Sequence, residues 1–152
     1  MQRAYFHNLD TGQAVAPQVM VADNFLLRAR GLMGRRRLGD PEGMWIHPCG
    51  SVHTCFMRFR IDVVFLDPEL RILAQQTQVK PFRMALGPTG TRSVLELPAG
   101  RLDRLACAVG QRLGLASPES CGRAQPDAAA ECFVAFAFGR GHPACSVVCF
   151  AR

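Results

Sequence analysis

The chain has almost no lysine: of its 18 basic residues only Lys80 is one, and the rest are arginines. It has no apolar run near the roughly 20 residues that a membrane helix needs, which excludes a helical span. The opening residues, MQRAYFHNLD, contain no apolar h-region, so no signal peptide is expected and the expected location is cytoplasmic. There is no P-loop, G-x-G-x-x-G, G-x-S-x-G or H-E-x-x-H pattern, which argues against kinase, dinucleotide-enzyme and hydrolase chemistry of the usual kinds. There is no internal repeat. The seven cysteines are odd in number and follow no secretion signal, so reduced thiols are expected rather than a disulfide framework. No motif dictates a reaction, and no cofactor is expected.

What is present is enough for one ordinary domain: 152 residues, 49% hydrophobic and 20% charged. The net charge is +6, and five arginines fall between Arg28 and Arg37. Such a cluster can be an anion or nucleic-acid footprint. No aromatic interleaving or nucleic-acid motif accompanies it, so a solvated basic loop is the favoured reading and nucleic acid the weaker one.

The densest apolar and β-branched stretch is residues 51–67, SVHTCFMRFRIDVVFLD, which ends at the turn Asp67-Pro68-Glu69. Its second half reads as a strand with at least one buried face, and Arg58-Phe59-Arg60 as a break or bulge. Residues 4–8 and 15–21 read as a hairpin around Asp10-Thr11-Gly12. Asp23 or Asn24 can cap a short helix with Phe25, Ala29 and Leu32 on one face, stopped by Gly31 and Gly34. Residues 43–47 read as a buried strand, 71–79 as the return strand of a hairpin, 80–91 as a loop, and 93–98 as an alternating strand. Gly100 opens a second helix with Leu102, Leu105, Ala106 and Val109 as its stripe, and residues 112–115 add a short last strand. The expected class is α+β, mainly β: an antiparallel sandwich or barrel-like core with two short helices. Composition shifts near Ala116, which divides the chain into a core at 1–116 and an Ala- and Cys-rich extension at 117–152.

Several pieces, taken in order, resemble a known family. They are Val21-Ala22, Arg28-x-Arg30-Gly31-Leu32-Met33-Gly34-Arg35, Gly43-Met44, His53-Thr54-Cys55-Phe56-Met57, Ile61-Asp62-Val63-Val64-Phe65-Leu66-Asp67 and Leu95-Glu96-Leu97-Pro98-Ala99-Gly100. Together they look like the prokaryotic family called domain of unknown function 192, over about residues 15–115. The resemblance implies a compact, mainly antiparallel β domain and no established activity. Many relatives resemble exported proteins with an N-terminal signal, and this chain departs from them there. It also has Cys55 and Arg60 where relatives often place an aromatic residue and a proline.

The family motif falls on His53, Met57, Asp62 and Glu96. A histidine with two carboxylates suits proton transfer or a metal. The plainer readings are a histidine at a strand end, an Asp62 that accepts backbone N–H groups, and a Glu96 that faces solvent between Leu95 and Leu97. Met33, Met44, Met57 and Met84 suit either core filling or a flexible apolar pocket, and Met, Cys and His together suit a soft metal such as Cu(I). In the extension, Cys121, Cys132, His142, Cys145 and Cys149 have poor zinc spacing. The leading expectation is a non-enzymatic domain that binds a small molecule or peptide, with a cleft formed by His53, Met57, Asp62, Glu96, Arg30 and Met33. The alternatives are an enzyme using His53 with Asp62 or Glu96 as acid and base, and an anion- or nucleic-acid-binding role for the arginine cluster.

Overall fold

The computed structural model describes residues 2–105 and 107–116. Nine strands and two short helices follow one another among them. The opening hairpin pairs β1 (Arg3–Asn8) with β2 (Ala14–Ala22). Its turn is held by Asn8, whose Oδ1 accepts the Asp10 N–H at 2.9 Å. The helix α1 (Phe25–Arg30) follows, capped by Asn24 Oδ1 on the Leu27 N–H at 2.9 Å. β3 (Glu42–Ile46) runs parallel to β2, because the segment between them crosses over the sheet. β5 (Ile61–Leu66) forms a hairpin with β6 (Ile72–Val79) and also pairs with β8 (Ser93–Pro98). β9 (Leu113–Ala116) closes the order by pairing with β1.

The result is a seven-stranded sheet, β6-β5-β8-β3-β2-β1-β9, antiparallel except for β2 and β3. It curls until its two edges touch at one corner. There Ile72 donates to the Gln111 carbonyl and Leu113 to the Leu70 carbonyl, each at 2.9 Å. The chain is thus mainly β, a half-barrel with two short helices, and no described helix is long and apolar enough to cross a membrane.

Alternation along the strands builds two cores, one on each face of the curled sheet. The inner one takes Phe6, Val19, Trp45, Val64, Leu95, Leu97 and Leu113, and α2 (Arg101–Arg104) plugs it with Leu102. The outer one takes Met44, Ile46, Ile61, Val63, Phe65 and Val94. It is roofed by Leu32, Leu38 and Met57, and by a small separate ribbon of β4 (Ser51–His53) and β7 (Met84–Leu86). Because β5 and β8 have a core on each side, every residue in both strands is buried.

Three local expectations are corrected. The face Phe25, Ala29 and Leu32 does not pack as a helix stripe: α1 buries no residue, Phe25 is exposed, and only Leu32, beyond the helix, enters the core. The second helix ends at Arg104 and leaves Val109 exposed, since Leu105 already has extended backbone. The loop at 80–91 contains β7, a strand too short to stand out among its prolines and glycines. The extension at 117–152 and its zinc-ligand candidates lie outside the described residues, as does Ala106 of the expected stripe.

Candidate binding cleft

Residue Thr54 positions the surface feature that stands out. It is fully buried, and its hydroxyl donates to the Lys80 carbonyl at 2.7 Å and accepts the Arg83 N–H at 2.9 Å. Its backbone carbonyl accepts the N–H groups of Phe82, at 2.9 Å, and Met57, at 3.3 Å. One side chain and one peptide unit thus fasten the 54–60 turn to the 80–83 turn. Each turn presents a phenylalanine. Phe56 and Phe82 both have left-handed backbone, with φ of 61° and 57°. That region is costly for bulky side chains, and it persists only where the surroundings enforce it. Both rings stay largely in solvent, 66% and 62% exposed, and meet edge to face with centroids 6.0 Å apart.

The two rings border an open cleft of about 690 Å³. Its other walls are Arg30, Met33, Gly34, Met57 and Arg58. Met57 is buried and joins the cleft floor to the outer core. The lining is therefore aromatic and thioether surface with two guanidinium groups, and carries no carboxylate, imidazole or thiol. Exposed Met84 and Leu86, on the ribbon that shares the 80–83 turn, add apolar surface beyond it.

Of the six residues expected to share a cleft, Arg30, Met33 and Met57 line this one, and His53, Asp62 and Glu96 do not. The sheet register explains why the carboxylates are apart. Asp62 pairs with Leu97, and Val63 pairs with Glu96. Paired residues share a face and successive residues alternate, so Asp62 and Glu96 point to opposite sides of the sheet. Asp62 is buried on the inner side, where its carboxylate accepts the N–H groups of Gln78 and Leu102, each at 2.9 Å. It ties β6 and the start of α2 to β5, which is a structural role. His53 is exposed at the end of β4, opposite Met84. Among the described residues the ion pairs are those of Arg101 and Arg104 with Asp40, and none involves His53. His53 is thus paired with neither Asp62 nor Glu96.

Glu96 corrects the expectation of a solvent-facing side chain. It is 2% exposed, flanked by Val63 on one strand and Met44 on the other, and its Oε2 has no hydrogen-bond partner. Burial pushes its carboxyl up to about 8, so it is mostly protonated at neutral pH. Half-buried Cys49 lies close enough to sense it; burial raises that thiol, and the Ser51 carbonyl accepts its S–H at 2.9 Å. Cys107 is likewise raised, by burial. Neither thiol is an activated nucleophile. No cluster of three or more His, Cys, Asp or Glu among the described residues is placed to hold a metal ion.

The model of the domain of unknown function 192 family, described as an uncharacterized ACR, matches residues 7–115, nearly the whole described domain. The chain belongs to the DUF192 family. A UPF0127 protein of Pyrococcus furiosus is 33% identical over 113 residues, covering 70% of this chain and 93% of its own length. One from Thermococcus sibiricus is 30% identical over 111 residues, covering 70% and 71%. Among solved structures, a Novosphingobium aromaticivorans protein of unknown function superposes with a TM-score of 0.64 at 22% identity, over 73% of this chain and 82% of its own. A Sinorhizobium meliloti protein, described as a candidate transcription regulator, gives 0.65 at 23%, over 74% and 91%. At these identities the two structures establish that the DUF192 chain shares their fold, and nothing about its ligand.

Sequence reasoning missed Phe56, Arg58 and Phe82. Phe56 lies inside the family motif, but an aromatic beside Met57 reads as core. Only the backbone conformation of the two turns directs both rings outward.

Proposed function

We propose that this DUF192 chain is a non-enzymatic binding domain. Its cleft takes a small molecule or peptide that carries an apolar body and a negative charge. The observation that carries the reading is the pair Phe56 and Phe82, held outward in costly backbone conformations beside Met33, Met57, Arg30 and Arg58. Ligand sites are commonly apolar concavities with a few placed polar groups, and thioethers adapt to varied shapes. Arginine holds its proton at any accessible pH, so these walls can orient an anion but supply no acid or base. We also place the protein in the cytoplasm, because Cys49, Cys55 and Cys107 are free thiols.

The test uses full-length protein carrying ¹³C-methyl methionine, titrated with anilinonaphthalene sulfonate as an aromatic anion. The Met33 and Met57 methyl signals are expected to move together and saturate, while Met44, buried in the outer core away from the lining, stays in place. Saturable binding that leaves Met33 and Met57 unmoved refutes the site, and so does the absence of saturable binding.

A further inference from the structure

The three segments that roof the outer core have one composition in common. Residues 24–38, 51–60 and 80–92 supply Leu32, Leu38, Val52, Met57 and Ala85 to that core. They also carry ten of the chain's 18 basic residues, while all 12 acidic residues lie elsewhere. Asp23 and Asp40 bracket the first segment, and Asp40 is already paired with Arg101 and Arg104. Those are the ion pairs among the described residues, so no cation of the roof has a carboxylate partner there.

The same roof holds apolar side chains out in water. Phe56 and Phe82 stand on its two turns, and Met84 and Leu86 are exposed on β7. Ala85 between them is buried in the outer core, so strand alternation directs Met84 and Leu86 away from it. Lys80 and Arg83 in the same segment, and Arg58 two residues from Phe56, are exposed as well. Large apolar side chains ringed by unpaired cations suit the boundary where water, anionic headgroups and hydrocarbon meet. We propose that this roof docks on the surface of an anionic phospholipid bilayer. Its guanidinium groups and Lys80 meet the lipid phosphates, and Phe56, Phe82, Met84 and Leu86 enter the boundary between headgroups and acyl chains. Docking of this kind needs no spanning helix, and no described helix is long and apolar enough to be one. The aliphatic pair favours lipid over nucleic acid, the other polyanion that such charge would attract. Bases stack on planar groups, which Met84 and Leu86 do not offer, whereas acyl chains accept any apolar side chain.

The inference goes beyond the cleft reading and is tested apart from it, because Lys80, Arg83, Met84 and Leu86 do not line the cleft. Full-length protein is sedimented with sucrose-loaded vesicles of phosphatidylcholine, alone or with about one-third phosphatidylglycerol. Partitioning should be at least tenfold stronger on the anionic vesicles, and should weaken at least tenfold between about 0.1 M and 0.5 M salt. Lys80→Gln/Arg83→Gln should weaken it on the order of tenfold. Arg71→Gln/Arg104→Gln removes the same charge outside the roof and should change it less than twofold. Met84→Gln/Leu86→Gln keeps every charge and should weaken binding at least fivefold. Melting curves establish that each variant is folded. Equal partitioning on neutral and anionic vesicles overturns the proposal, and so does equal weakening by the two charge-removing pairs. Binding to a single-stranded oligonucleotide that Lys80→Gln/Arg83→Gln weakens, with vesicle binding untouched by Met84→Gln/Leu86→Gln, overturns it in favour of nucleic acid. The two readings fail differently. If anilinonaphthalene sulfonate still moves Met33 and Met57 while anionic vesicles are not bound, only the membrane docking falls.

Discussion

Replacing Glu96 by glutamine removes one ionisation at the centre of the outer core and should change how stability depends on pH. In the folded protein burial raises the Glu96 carboxyl from 4.5 to about 8. Unfolded, it ionises at its ordinary value. Between those values the unfolded chain has lost the proton that the folded one keeps, so unfolding releases a proton and stability falls as pH rises. The stability is fully present below about pH 4.5 and is lost progressively up to about pH 8, with a plateau above. At about 1.4 kcal/mol for each pH unit across that window, the full swing is on the order of 5 kcal/mol. That is a large share of the roughly 5–15 kcal/mol that holds a domain together. His7 and His47 act in the opposite sense. Burial lowers both, so their contribution is present above pH 6.5 and is lost as pH falls through their folded values. Both histidines remain in the variant, so the difference between wild type and Glu96→Gln isolates the carboxyl. Urea unfolding at pH 5, 6, 7 and 8 should show the wild type losing about 1.4 kcal/mol per pH unit relative to the variant. Glu96→Met, matched to the apolar neighbours Met44 and Val63, should abolish the same slope. A parallel pH dependence in wild type and both variants would refute a buried neutral carboxyl at this position.

Other substitutions probe the framework. Asp62→Ala should cost about 3 kcal/mol in urea unfolding, since it strips the Gln78 and Leu102 N–H groups of a charged acceptor in the interior. Thr54→Val should cost about 2 kcal/mol and speed amide exchange at Phe82 and Arg83, because the hydroxyl ties the two turns of the cleft. A chain ending at Ala116 should unfold cooperatively, with a melting point within a few degrees of the full chain's. All seven strands of the large sheet lie at or before that residue. Insoluble or non-cooperative behaviour would make the extension part of the fold.

The mainly β architecture was legible because its signals are local. Asp10-Thr11-Gly12 between two apolar segments gives the β1–β2 hairpin, and Asp67-Pro68-Glu69 gives the β5–β6 hairpin. Asn24 announces a helix cap. What alternation could not reveal is a sheet with a core on each face. Glu96 between Leu95 and Leu97 reads as solvent-facing only if one side of β8 is open, and the β4–β7 ribbon with its flanking loops closes it. The ribbon was hidden in turn because β7 is three residues long and sits among Pro81, Gly87 and Pro88. The site was legible in part. Arg30, at the end of α1, and Met33 line the cleft together with Met57, which comes from a turn distant in sequence. The grouping of His53 with two carboxylates failed on register, because Asp62 and Glu96 stand one position out of phase on paired strands. Phe56 and Phe82 owe their exposure to left-handed backbone at non-glycine residues, which no sequence pattern specifies.

The most direct test of the cleft as the binding site is the dissociation constant of anilinonaphthalene sulfonate for wild type and for Phe56→Ala/Phe82→Ala, measured with melting curves on both. The two rings are largely exposed, so their removal should leave the melting temperature unchanged within a few degrees. Loss of the paired aromatic contact is worth about 1.4 kcal/mol, so affinity should fall about tenfold. Unchanged affinity in a folded double variant would contradict the account.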